Sequence, residues 1–254
     1  MKNIISSIII LLVGLLSLQS CLKEEENIFD KSSAERLMEA QAEYDKLLSS
    51  AENGWAMDYY AGFGEDRIGG YQIICKFEEG KAIMAGAFTM GDYKNLGEKI
   101  ESSYSINRMQ GPCLSFGTYN KVLHPFADPG SISDPYGYGG DFEFMILKAS
   151  KEEFILKGIK QKQIIVMRPM KAEKDWDQYC AEVVELEEIL SNYTRFSINK
   201  SGQHVGYTTM WTGDYEIHDT DRPDIKISKY TVTNESINLY DSLNISNNVL
   251  KRLV

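Results

Sequence analysis

Residues 71–90, YQIICKFEEGKAIMAGAFTM, decide the fold class of this chain. The segment from Tyr71 to Phe77 is rich in β-branched and aromatic residues, and we expect it to form a strand. Residues 78–81 (EEGK) have the composition of a turn, and residues 82–90 have that of a return strand. The stretch therefore predicts a β-hairpin.

Similar strand patterns recur on both sides of this hairpin, and no helix of crossover length separates them before residue 175. We expect strands at 55–60, 103–107, 114–119, 142–147, 154–159, 163–167, 193–198, 207–211, 225–232 and 237–243. Consecutive strands joined by short turns form antiparallel meanders, so a parallel sheet is disfavoured. The apolar stretch 249–254 is either a last strand or the end of a chain that is incomplete relative to its relatives.

Two amphipathic helices complete an α+β fold. Ser32 and Glu35 form a capping-box pattern before the first apolar stripe, and Asp175 with Gln178 repeats it before the second. The predicted domains are a helix plus antiparallel sheet at 32–170 and a helix plus β-rich segment at 171–254. Because helix-then-strands occurs twice, a shortened second repeat is a hypothesis for the later segment.

The N-terminus has the features of a targeting segment. A basic start at Lys2 precedes the uncharged apolar run 4–18, which is typical of a secretory signal. A membrane-spanning anchor is the alternative, but it needs roughly 20 apolar residues and this run is shorter. Residues 18–21 (LQSC) resemble a bacterial lipobox, which implies a signal peptide at 1–20 and Cys21 as the lipid anchor.

Residues 21–31 are expected to be a lipidated tether. The sequence LKEEE at 22–26 resembles the surface-export signal of Bacteroidetes lipoproteins, and a merely solvated charged tether is the alternative. We therefore expect a lipid-anchored protein on the outer membrane, facing the cell exterior. The net charge of −10 over 254 residues disfavours nucleic acid as a partner.

Several segments together resemble one family of Bacteroidetes lipoproteins, the domain of unknown function 4302. They are SAERL at 33–37, NGW at 53–55, GGY at 69–71, QGP at 110–112, LSFGTYNKVLH at 114–124, FADP at 126–129, GGDFEF at 139–144 and LKG at 156–158. The resemblance covers roughly residues 30–170 and rests on the combination and order of these pieces. It carries over no catalytic residue.

The resemblance implies a role in nutrient uptake. Relatives accompany outer-membrane systems that consist of a TonB-dependent channel and a lipoprotein lid. The expected function is therefore a non-enzymatic accessory that binds or helps take up peptide or glycan. A hydrolase on the same scaffold and a purely structural transporter subunit are the alternatives.

The sequence contains no motif that predicts catalysis. None of the three histidines lies in HExxH, and neither a GxSxG elbow nor a Walker loop occurs. We expect neither a metal nor another cofactor, and we interpret Cys75, Cys113 and Cys180 as small buried hydrophobes. The pairs Gly69-Gly70 and Gly139-Gly140 precede strands and are interpreted as turns.

The long loop 125–141, PFADPGSISDPYGYGGD, is the strongest candidate for ligand binding. Tyr136 and Tyr138 on it can offer flat amphipathic surfaces to a sugar or a peptide. The alternative is that both tyrosines pack on their own sheet. Trp211, which stands beside Thr212-Gly213-Asp214, is the tryptophan expected nearest to a loop and a ligand.

Mass spectrometry of the purified native protein tests the lipobox. We expect residues 1–20 to be absent and fatty acid to be attached at Cys21, because each buried methylene contributes about 0.8 kcal/mol to anchoring. A native chain that retains residues 1–20, or carries no acyl group on that sulfur, would contradict the anchor.

Overall fold

The computed structural model describes residues 32–64, 66–108, 111–130, 137–211, 216–219, 224–245 and 248–254. The chain divides into two compact units, residues 1–39 and 40–254. The described part of the first unit is the start of helix α1 (Ser33–Leu48). The predicted capping box is confirmed there: the Ser32 N–H donates to Glu35 Oε2 at 2.8 Å, and the Glu35 N–H donates to Ser32 Oγ at 3.2 Å. The remaining elements belong to the second unit.

Eight antiparallel strands of the second unit form a closed barrel. They are β1 (Trp55–Phe63), β2 (Asp66–Glu78), β3 (Lys81–Gly86), β4 (Ile100–Arg108), β5 (Pro112–Phe116), β6 (Glu143–Ala149), β7 (Phe154–Gly158) and β8 (Ile164–Pro169). Each strand pairs with the next along the chain, and β1 closes the ring on β8 with Met57 opposite Met167. The predicted antiparallel meander is confirmed, and its closure into a barrel is an addition that the sequence did not predict.

Strand β1 shows how the barrel is buried on both faces. Trp55, Met57 and Tyr59 belong to the barrel core, where the Trp55 ring meets Phe154 at 5.0 Å between centroids. Side chains alternate along a strand, so Asp58 and Tyr60 point outward. These two are also buried, at 5% and 3% exposure, because a second layer covers this side of the barrel.

Helix α2 (Trp176–Ser191) belongs to that second layer. The Asp175 side chain caps it by accepting from the Gln178 N–H at 3.0 Å, as the sequence predicts. Apolar residues of its first half pack against the outer faces of β2 and β3: Trp176, Tyr179, Cys180 and Val183. In its second half, Leu186 and Leu190 pack on the other sheet. Neither described helix is both long and apolar enough to cross a bilayer.

The second sheet is a six-stranded antiparallel meander. Its strands are β9 (Arg195–Lys200), β10 (Gln203–Trp211), β11 (Glu216–Asp219), β12 (Lys226–Val232), β13 (Ile237–Ile245) and β14 (Asn248–Leu253). Most of the apolar stretch 249–254 lies in β14, the last strand in chain order. The short strand β11 was not predicted from the sequence. Among the described residues, the edge strands β9 and β14 each have one strand neighbour. The order helix-then-meander occurs twice, and the duplication itself stays a hypothesis.

Two local predictions are wrong. The return strand of the first hairpin was expected to reach Met90, but β3 ends at Gly86. Gly69-Gly70 was interpreted as a turn, but both glycines lie inside β2. Gly69 has a φ of +63°, and a Cβ atom on Gly70 would lie only 2.0 Å from the Tyr230 carbonyl oxygen. Position 70 therefore requires a residue without a side chain, because β12 passes close to the β2 backbone there.

Replacing Gly70 tests this close passage. We expect Gly70→Ala to lower the free energy of unfolding by about 1–3 kcal/mol, because the new methyl group overlaps backbone atoms that must move. Gly111→Ala is the matched control, since the atom nearest to its Cβ would be Met145 Cγ at 4.0 Å. Urea denaturation of both variants measures the difference, and equal stabilities would refute the close passage.

Candidate functional site

The structure describes one of the four predicted site residues in full. Tyr138 is 46% exposed. Cys21 and Tyr136 lie outside the described residues, and Trp211 is the last residue of β10, with a side chain that the structure does not describe. The roles of these three residues stay predictions.

The described residues of 117–130 and 137–142, here called the cap, pack into the barrel core. Val122, Leu123 and Phe126 are fully buried, and residues 124–126 form a 3-10 helix. The Phe126 ring lies 4.9 Å from that of Tyr59 and 4.7 Å from that of Tyr71. The cap is therefore anchored on the barrel by its own side chains.

Three rings on the cap, here called the aromatic row, lie one beside the next: Tyr119, His124 and Phe142. The centroids of Tyr119 and His124 are 5.2 Å apart, and His124 stacks on Phe142 at 4.8 Å with 20° between the planes. The outer two rings are 57% (Tyr119) and 37% (Phe142) exposed. The two outer rings of the row are therefore accessible to solvent, while His124 between them is buried.

A hydrogen bond to Tyr119 and the burial of His124 favour the neutral forms of these two rings. The Tyr119 hydroxyl donates to Asp128 Oδ2 at 2.7 Å, and this bond raises the pKa of Tyr119 to about 12. His124 Nδ1 accepts from the Asn120 N–H at 3.0 Å, and burial lowers the pKa of His124. Neither ring gains a charge near neutral pH, which suits stacking on an uncharged ligand face.

Tyr138 provides a further exposed ring on the cap. Its ring lies 6.4 Å from Phe126 in a T-shaped contact, so it packs on its own domain with one side and faces solvent with the other. The ring of the partly exposed Phe63 lies close to the backbone at Gly139. A Cβ atom at position 139 would lie only 2.9 Å from that ring. Sequence reasoning found Tyr138 but missed Tyr119 and Phe142, whose approach depends on how the loop folds back.

The outer face of the barrel carries a buried carboxylate. Asp58 accepts from Gln72 Nε2 and from Asn238 Nδ2, the latter at 2.9 Å to Oδ2. Arg168 Nη1 also donates to Oδ2 at 2.8 Å, and the Tyr179 hydroxyl donates to Gln72 Oε1 at 2.9 Å. Burial raises the pKa of Asp58, while the Arg168 guanidinium lowers it. Side-chain donors from three strands therefore occupy both oxygens of this carboxylate. Asp58 links these strands to one another, a role here called the structural tie.

A cavity of about 220 Å³, here called the cationic pocket, opens beside Asp58. Four cationic side chains and two carboxylates contribute to its lining: Arg168, Lys171, Lys174, Arg252, Asp58 and Glu235. Lys171 pairs with Glu235 at 2.5 Å, and Lys174 pairs with Glu182 at 2.6 Å. The lining is richer in cations than in anions, in contrast to the acidic chain as a whole.

A larger cavity of about 570 Å³, here called the apolar groove, lies between α2 and the second sheet. Its lining includes Leu186, Leu190, Phe196, Ile198, Ile237, Leu250 and Leu253. Glu235 and Arg252 line both this groove and the cationic pocket, so the two cavities adjoin. Nothing in the sequence pattern marked this pair of cavities, because their walls come from elements far apart in the chain: β1, β8, α2, β13 and β14 for the cationic pocket, and α2, β9, β13 and β14 for the apolar groove.

The described residues offer little for metal or thiol chemistry. No group of three His, Cys, Asp or Glu side chains among them is placed to hold a metal ion. Cys75, Cys113 and Cys180 are free and buried, and burial raises the pKa of each thiol. Their interpretation as small buried hydrophobes is confirmed.

Comparison with known proteins identifies one family. The family model described as "Domain of unknown function (DUF4302)" matches residues 25–254. No curated protein and no solved structure matched the chain.

Removing the Asp58 carboxylate tests its role as a structural tie. We expect Asp58→Ala to lower the free energy of unfolding by about 3–5 kcal/mol, because it leaves the buried donors of Gln72 and Asn238 without an acceptor and breaks the pair with Arg168. Asp92→Ala, at an exposed aspartate, is the control and should change stability by less than about 0.5 kcal/mol. Urea denaturation measures both, and a small effect of Asp58→Ala would contradict the tie.

Proposed function

Because the chain belongs to the DUF4302 family, a domain of unknown function, we propose a function from its own residues. The protein is a surface-exposed outer-membrane lipoprotein and a non-enzymatic accessory that binds peptide or glycan nutrients. It works alongside a TonB-dependent channel and the lipoprotein lid of that channel. The lipid on Cys21 holds it at the membrane, and the folded part of the chain presents the binding surface.

The observation that carries this proposal is the aromatic row on the cap. Tyr119 and Phe142 are exposed to solvent, and the His124 ring between them accepts a hydrogen bond from the Asn120 N–H. Aromatic faces stack on the apolar face of a sugar or on a peptide backbone. Because these side chains are already ordered by the barrel, binding would cost little conformational entropy.

The sequence of the N-terminus supports the location. A lipobox-like LQSC at 18–21 and the acidic LKEEE at 22–26 are the features expected of a lipoprotein exported to the cell surface. Two or three acyl chains on Cys21 would make the attachment almost permanent. The location of the protein and its contact with a transporter are parts of the proposal.

The two alternative functions, a hydrolase and a structural transporter subunit, require different structural features. A hydrolase requires a reacting pair of carboxylates or a metal within reach of substrate, and among the described residues the most buried carboxylate, Asp58, is engaged by structural donors. A purely structural transporter subunit would contact the channel and bind no free ligand. Pull-down from solubilised outer membranes, combined with the binding assay below, separates this last role from ligand capture.

Removing both exposed rings of the aromatic row tests the proposal. We expect the full-length chain in detergent to bind members of a panel of neutral oligosaccharides and tryptic casein peptides. Each ring contributes about 0.5–1.5 kcal/mol beyond area burial. A Tyr119→Ala/Phe142→Ala double variant should therefore bind about tenfold more weakly.

Tyr193→Ala removes an equally exposed tyrosine outside the cap and serves as the control. Isothermal titration calorimetry measures all three proteins. Unchanged affinity in the double variant, or a wild-type chain that binds no member of the panel, would refute the proposal.

A further inference from the structure

Two strand edges border the apolar groove. Four consecutive residues of β9, 196–199, line it. Successive side chains of a strand point to opposite faces, so a consecutive run shows that the edge of β9, and not one face alone, borders the groove. Strand β14 contributes Leu250, Arg252 and Leu253 from the other side. In the first sheet the corresponding terminal strands, β1 and β8, pair with each other.

These edges can hydrogen-bond to an extended backbone. In the described part of the chain, β9 pairs only with β10 and β14 only with β13. The outer edge of each strand therefore presents N–H and C=O groups that an added strand can use. An alkyl chain has no donors or acceptors to match them, so the edges favour a peptide over a lipid.

The floor of the groove suits apolar side chains. Leu186 and Leu190 are four residues apart on α2 and so lie on one face of the helix. They meet Phe196 and Ile198 of β9 and Ile237 of β13 in the core of the second sheet. The volume of about 570 Å³ lies within the usual range of ligand sites. An extended segment with apolar residues at alternate positions fits this surface.

The charge of Arg252 indicates which chemical group of the peptide lies at one end of the groove. Arg252 stands where the groove adjoins the cationic pocket, and its Nε donates to Ser236 Oγ at 2.7 Å. It makes no ion pair with any residue that the structure describes. A guanidinium can bind a carboxylate with two parallel hydrogen bonds. The neighbouring Arg168, Lys171 and Lys174 are each already paired with a carboxylate, that of Asp58, Glu235 and Glu182 respectively. Among the described residues that line the two cavities, Arg252 is therefore the cation that remains for a carboxylate of the ligand.

We propose that the apolar groove and the cationic pocket together bind the C-terminal end of an extended peptide. The backbone of the peptide pairs with a free strand edge, its apolar side chains lie over Leu186 and Leu190, and its free α-carboxylate binds Arg252. This site is separate from the aromatic row and does not depend on the function proposed for it.

The experiment uses the full-length chain in detergent and a fluorescent hexapeptide of alternating valine and threonine with a free C-terminus. Fluorescence anisotropy compares it with the same peptide carrying a C-terminal amide. We expect the free acid to bind at least tenfold more tightly, because only the acid forms the charged pair. Arg252→Gln should remove this preference.

Lys251→Gln is the matched control, since it removes one positive charge from the neighbouring position of β14 and Lys251 lines neither cavity. It should keep the preference for the free acid. A peptide that is N-methylated at three internal residues should bind at least tenfold more weakly to the unaltered protein. This measurement tests the strand pairing even if Arg252→Gln does not fold.

Three outcomes of the peptide measurements would overturn the proposal. They are equal affinity of the wild-type chain for acid and amide, an acid preference that survives in a folded Arg252→Gln variant, and full binding of the N-methylated peptide. Dodecanoate is included as a competitor. If it displaces the peptide at equal concentration, the groove selects a lipid-like amphiphile and the peptide assignment is wrong.

Discussion

The contact between the barrel and its second layer is organised around one buried carboxylate. Asp58 lies on the outer face of β1 and accepts from side chains of β2, β8 and β13, while Tyr179 adds α2 to the same network. Placing a carboxylate away from water costs several kcal/mol unless charged and polar partners replace the lost hydration. The second sheet, α2 and the barrel must therefore pack in an arrangement that brings all these partners to Asp58.

Neighbouring contacts extend this docking over a wider area. The rings of Tyr60 and Tyr240 meet at 4.8 Å in a T-shaped contact, and the Tyr240 hydroxyl accepts from the Ile164 N–H at 2.9 Å. Gly70 lets β12 pass almost in contact with β2. Polar groups thus fix the register of the interface, and aromatic and backbone contacts extend it. The cationic pocket is lined partly by this network, including Asp58, Arg168 and Asn238.

The barrel itself serves as a scaffold. Its interior is packed with large side chains, among them Trp55, Phe77, Phe116, Phe144 and Phe154. In small barrels such packing fills the interior, and ligand sites then form on the loops and at neighbouring surfaces. Both candidate surfaces follow this rule, since the aromatic row lies on the cap and the groove lies between α2 and the second sheet. Each is built on elements anchored in a core, which keeps its geometry fixed before a ligand arrives.

Features that depend on neighbours in the chain could be predicted from the amino-acid sequence. The β-branched and aromatic composition of Tyr71–Phe77 predicted a strand, and the Ser32 and Asp175 patterns predicted helix starts. The resemblance in segments such as LSFGTYNKVLH predicted the family that the comparison identified. Three features could be recognised only in the folded protein: the pairing of β1 with β8, the partners of Asp58, and the packing of His124 between Tyr119 and Phe142. These contacts join residues far apart in the chain, and their free energy depends on packing and desolvation that no local pattern encodes.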